Sequence, residues 1–82
     1  MGDRITKIIK LRNIFRDMFD DENMKIAEDT TRTDIEDWDS VAQVKLVLTI
    51  EEEFGIRFST EEVASIKSVG DFIRAIDNHL GE

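Results

Sequence analysis

In three stretches of this chain the apolar residues recur every three or four positions, and nowhere do they alternate regularly with polar ones. Ile8, Leu11, Phe15 and Met18 form the first line, with Ile5, Ile14 and Phe19 on its flanks. Leu46, Val47, Ile50 and Phe54 form the second, and Val69, Phe72, Ile73, Ile76 and Leu80 the third. A step of three to four places such residues on one face of an α-helix, whereas a strand needs a step of two. The pattern predicts helices over about 4–19, 40–54 and 69–80, opened by Asp3, Ser40 and Ser68, with Gly55 stopping the second. Ser59 and Glu62 form a capping-box pair that opens a short helix near 60–66. The expectation is an all-α chain of three longer helices and one short one.

Between the first two helices the pattern dissolves into acids, Thr and Asn from Asp20 to Asp39, with Met24, Ile26 and Ile35 as isolated anchors. A loop of about 20 residues is long for a small domain and points to function. At 82 residues the chain reads as a single domain over 1–82, too small for a deep substrate cavity. No apolar run is long enough to span a membrane. The first residues are too polar for a secretory signal, so a cytoplasmic location is expected. Met1-Gly2-Asp3-Arg4-Ile5-Thr6 matches a myristoylation pattern on paper, and reads as a start codon followed by a small residue.

Charge narrows the function classes. Nineteen acids stand against eleven bases, which argues against nucleic acid and for a basic protein partner. The excess is localised: residues 34–63 hold nine acids against Lys45 and Arg57, or seven of the eight net negative charges. Within the same stretch Val41, Val44 and Leu48 draw a second apolar line along the second helix. A helix apolar on two lines either buries both or offers one to a partner.

Several chemistries fail on inspection. Without cysteine there is no disulfide, thiolate zinc site or cysteine nucleophile, and the lone His79 makes no multi-histidine metal site. It sits in the last turn of a helix, where a histidine complements the helix dipole. An EF-hand loop begun at Asp34 puts Trp38 where an oxygen ligand belongs and Lys45 where the closing Glu belongs. No nucleophile elbow, phosphate-binding loop or dinucleotide fingerprint is present, so no catalytic residue is assigned. Trp38, just before the second helix, reads as a hydrophobic staple or core lid.

The informative run is Asp37-Trp38-Asp39-Ser40-Val41, followed by Ile50-Glu51-Glu52-Glu53-Phe54 and then Ser68-Val69-Gly70-Asp71. Over residues 37–76 this arrangement resembles the acyl carrier proteins, which are small acidic four-helix bundles; over the first helix only length and periodicity agree. The resemblance implies that Ser40 receives 4′-phosphopantetheine from coenzyme A through a phosphopantetheinyl transferase. It implies an acyl carrier, not an enzyme, delivering thioesters in fatty-acid, polyketide or related lipid and secondary-metabolite synthesis. It casts Asp39, Val41, Val44, Leu48, Glu51 and Glu52 as the surface that meets basic patches on acyl-transferring or condensing enzymes, and the chain as a monomer. The core would be Leu46, Val47, Ile50 and Phe54 with Phe15, Phe72 and Ile76, an interior able in this family to shelter the acyl chain. The absent thiol would come with the cofactor.

Read without the resemblance, Ser40-Val41-Ala42-Gln43 is a capping box, with Ser40 as the cap. The chain also departs from the family pattern. Val41 stands where Leu is usual, Ala42 and Lys45 occupy positions often acidic, and Trp38 replaces a small residue. A Trp-Asp-Ser start looks more like specialised carriers of secondary-metabolite or lipid-modification clusters than like housekeeping ones. Peptidyl carriers usually carry Gly-Gly-His or Gly-Gly-Asp before the serine, where this chain has Glu36-Asp37-Trp38. A D-alanyl carrier remains open, as does an unmodified acidic helical interaction module.

Overall fold

A computed structural model describes residues 4–81. Four helices, α1 (Arg4–Met18), α2 (Ser40–Phe54), α3 (Thr60–Ser65) and α4 (Val69–Leu80), follow the periodic stretches, and a short 3₁₀ turn (Arg32–Asp34) interrupts the long loop. Asp3, expected to cap α1, and the start of the myristoylation pattern lie outside the described residues. The caps explain where the other helices begin and end. Ser59 Oγ accepts the Glu62 N–H at 3.1 Å while Glu62 Oε1 accepts the Ser59 N–H at 2.8 Å, the reciprocal box expected for α3. Ser68 Oγ accepts the Asp71 N–H at 3.1 Å at the start of α4. After α2, Gly55 turns left-handed at φ 66° and returns its N–H to the Glu51 carbonyl, a conformation that costs a side-chain-bearing residue.

The inward faces meet in one apolar cluster. Leu11 and Phe15 from α1, Leu46 and Ile50 from α2, Ile66, and Val69, Phe72, Ile73 and Ile76 from α4 are essentially removed from water. Each large side chain so buried contributes about 1.5–3 kcal/mol. Phe54, expected at the centre, is only half-buried against this cluster, because it closes the last turn of α2. The α1 row is also shifted from the sequence expectation. Lys7, not Ile8, shares the inward line with Leu11 and Phe15, and Ile5 is exposed. The Lys7 ammonium meets the Asp77 carboxylate of α4, so its stem can pack as apolar surface while the charge is paired.

The long loop is tied down by its own carbonyls. Its anchors behave as expected: Ile26 is buried, and Met24 and Ile35 pack half-buried against the core. Arg16 donates from Nε to the Met24 carbonyl at 2.8 Å. Further along, the first N–H groups of α4, which no helix can satisfy internally, donate to the loop: Val69 to the Thr30 carbonyl at 2.9 Å and Gly70 to that of Glu28 at 2.8 Å. Arg32 N–H reaches the Lys67 carbonyl at 3.1 Å, making a single antiparallel bridge between Thr31 and Ser68. The loop passes so close that a Cβ on Gly70 would stand 2.9 Å from the Glu28 oxygen. Only glycine fits there. The loop thus reaches the start of α2 from a fixed base.

Candidate functional site

Asp39, and not Ser40, caps α2. Its backbone is extended (φ −101°, ψ −170°), its Oδ1 accepts the Ala42 N–H at 2.9 Å, and its carbonyl accepts the Gln43 N–H at 2.8 Å. The expected capping box of Ser40 with Gln43 is therefore corrected. Asp39 takes the cap, and Ser40 becomes the first helical residue. Gln43 turns inward, 5% exposed, rather than back to the helix start. The displacement has a chemical consequence. Ser40 is exposed, and among the described residues nothing accepts its hydroxyl or the backbone N–H groups of Ser40 and Val41. These groups sit at the positive end of a 15-residue helix, where an attached phosphodiester is favoured.

The second apolar line lies as expected on the outside of α2. Val41, Val44 and Leu48 are 63%, 55% and 56% exposed, large values for aliphatic side chains on successive turns of one helix. Asp39 and Glu52 are exposed beside this line. Glu51 differs. It is half-buried, and its Oε2 accepts the Phe58 N–H at 2.8 Å, which ties the end of α2 to the segment leading into α3. Of the three expected contact acids, Glu51, like the capping Asp39, thus has a structural duty of its own.

Inside the start of α2 lie the buried side chains of Trp38 and Gln43. Trp38, 3% exposed, belongs to the core and is neither a staple nor a lid at its edge. Its ring lies nearly parallel to Phe72 at 6.2 Å and edge-on to Phe15 at 5.1 Å. The indole N–H donates to Gln43 Oε1 at 2.7 Å, and Gln43 Nε2 donates to the carbonyls of Val63 and Ile66 at 3.2 and 3.4 Å. Sequence reasoning missed Gln43, since a glutamine one turn into a helix ordinarily faces water. His79 lies in the last turn of α4, as expected, and makes tertiary contacts there as well. Its Nε2 lies 2.9–3.0 Å from both oxygens of Glu62, and its ring meets Phe58 edge-on at 5.6 Å, so it joins α4 to α3. The N–H of Ser59 and the His79 ring hold the Glu62 carboxyl below its ordinary range.

Among the described residues no cluster of three or more His, Asp or Glu side chains could hold a metal ion, and no helix is long and apolar enough to cross a membrane. The Ser40 hydroxyl stands exposed at the start of α2. Residues 10–76 match the family profile described as a phosphopantetheine attachment site. The acyl carrier protein of Lactobacillus acidophilus is 33% identical over 72 residues, covering 88% of this chain and 90% of that one. The chain belongs to the acyl carrier protein family. The acyl carrier protein of Coprothermobacter proteolyticus is 32% identical over 71 residues, covering 87% of each chain. The solution structure of the holo acyl carrier protein from Geobacter metallireducens superposes with a TM-score of 0.83 at 32% identity, covering 92% of this chain and 86% of that one. The chain is accordingly a non-catalytic carrier with a four-helix fold and a covalently attached phosphopantetheine, and it works by meeting modifying and acyl-handling enzymes. The cofactor supplies the thiol that the cysteine-free sequence lacks.

Proposed function

We propose that Ser40 is the residue that carries phosphopantetheine, and that the outer face of α2 is the address read by partner enzymes. One observation carries the reading: Asp39 takes over the capping of α2 and leaves the Ser40 hydroxyl exposed and uncommitted at the helix start. The flexible arm would carry acyl groups as thioesters. Val41, Val44 and Leu48 supply apolar contact, and Asp39 and Glu52 supply charge that meets basic patches on a phosphopantetheinyl transferase and on acyl-transferring or condensing enzymes. Glu51 contributes charge while holding Phe58. A few exposed charges around a small apolar line give fast, salt-sensitive, weak encounters, as suits a monomeric shuttle visiting several enzymes.

The pathway we favour is a specialised lipid or secondary-metabolite route rather than housekeeping fatty-acid synthesis. Lys45 and Ala42 thin the negative charge along α2, and a buried Trp38 replaces a small residue before the serine. Incubation with coenzyme A and a promiscuous transferase tests the attachment site. The intact mass should rise by one phosphopantetheine, and Ser40→Ala should abolish the gain without unfolding the chain. An unchanged mass beside a control carrier that is modified rejects the reading.

A further inference from the structure

We infer that Trp38, locked by Gln43, closes the bundle interior to acyl chains, so that this carrier transports short or polar acyl groups outside its core. The inference rests on attachment at Ser40 and names the substrate class that the attachment serves. An acyl chain that entered the bundle from Ser40 through the gap between α2 and α3 would meet Gln43 first. One turn below Ser40, Gln43 bridges that gap with its amide, joining α2 to the Val63 and Ile66 carbonyls at the end of α3. Directly inside stands the Trp38 indole, stacked on Phe72, edge-on to Phe15, and fixed by its own hydrogen bond to Gln43. An entering chain must displace a close-packed ring, and swinging that ring away orphans the indole N–H and the Gln43 carbonyl oxygen together.

The surrounding contacts keep the same door shut. Glu62 ties α3 to His79 of α4, and Phe58 packs between His79 and Phe72. Glu51 holds the Phe58 N–H from α2. α3 has no fully buried residue, so these polar ties, together with half-buried Val63 and buried Ile66, fix its position. Widening the interior means breaking them in concert. A long apolar chain would then gain no shelter and would remain in water on its arm, whereas a short or polar acyl group has little apolar surface to hide.

The test loads the apo chain with acetyl-, butanoyl-, hexanoyl- and octanoyl-phosphopantetheine from the corresponding coenzyme A thioesters, confirms each load by intact mass, and measures thermal unfolding. Wild-type forms should melt within about 2 °C of one another, because no part of the chain is buried. In Trp38→Leu the octanoyl form should melt about 4 °C or more above its own acetyl form, as the vacated space takes up the chain. Gln43→Met, which frees the indole with little change of volume, should rise in the same direction and serves if Trp38→Leu does not fold. A wild-type melting temperature that climbs by about 4 °C from acetyl to octanoyl overturns the inference. So does a flat series in every variant that folds, or a shift of Trp38 fluorescence on octanoyl loading of the wild type. Absence of any mass gain would instead reject attachment itself, a separately visible failure.

Discussion

Trp38 donates its indole N–H to Gln43 Oε1 at 2.7 Å, and both side chains lie inside the core. A buried polar pair of this kind costs little while complete and much when halved. Trp38→Phe strands the Gln43 oxygen, and Gln43→Leu strands the indole N–H and loosens the ties to Val63 and Ile66. Each single change should cost about 1–3 kcal/mol in urea unfolding. The double variant should cost clearly less than the two singles together, and strict additivity would refute the coupling.

Capping separates Asp39 from its neighbour. Asp39→Ala should lower stability by about 1 kcal/mol, because the Ala42 N–H loses its acceptor. Ser40→Ala should leave stability within about 0.5 kcal/mol of wild type. The reverse order, measured by denaturant midpoints, would restore Ser40 as the cap.

Gly70 is fixed by contact rather than by conformation. A methyl group there meets the Glu28 carbonyl at 2.9 Å, and that carbonyl is also the acceptor of the Gly70 N–H. Gly70→Ala should therefore destabilise by about 1–3 kcal/mol, despite the better helix propensity of alanine. Amide exchange should quicken at Gly70 and Val69 together, since both N–H groups depend on the loop. Unchanged protection would mean the loop is not held there.

Two carboxylates make the fold sensitive to acid. Glu62 is held below its ordinary pKa of 4.5 by the Ser59 N–H and by His79. At Asp71 burial pushes upward, but the Lys67 N–H and the Arg74 guanidinium outweigh it, and its pKa falls below the ordinary 3.8. A folded-state pKa below the unfolded one means stability that is fully present above the ordinary carboxylate range and lost as pH falls through the folded value. Unfolding followed at falling pH should show stability declining below about pH 4.5, and Glu62→Gln should flatten that decline. A decline identical in the variant would clear Glu62 of the effect.

For partner docking, the informative acid is Glu52. Glu52→Lys reverses an exposed charge without touching a hydrogen bond, so transfer of phosphopantetheine to Ser40 should slow severalfold at low salt and by much less at high salt. Glu51→Lys should in addition lower the melting temperature, because Phe58 N–H loses its acceptor. Equal slowing by Glu52→Lys at both salt concentrations would sink the electrostatic account.

The four helices, their ends and most of the core were legible in the residue pattern, because apolar spacing and cap residues are local properties of the chain. Leu11, Phe15, Leu46, Ile50, Phe72 and Ile76 fall where the spacing puts them, and Ser59–Glu62 and Gly55 act as local chemistry dictates. The run around Ser40 and the exposed Val41, Val44 and Leu48 were equally legible. Which of two adjacent cap-competent residues, Asp39 or Ser40, took the helix start, and that Lys7 could lie inside against Asp77, depended on the folded arrangement. It alone turned Gln43 inward to Trp38, recruited Glu51 and His79 to hold the segment around α3, and set the loop carbonyls over the start of α4. Each of these depends on a partner distant in sequence or on competition between neighbours. A polar side chain is buried only when a distant group satisfies it, and no spacing within its own helix encodes where that group will be.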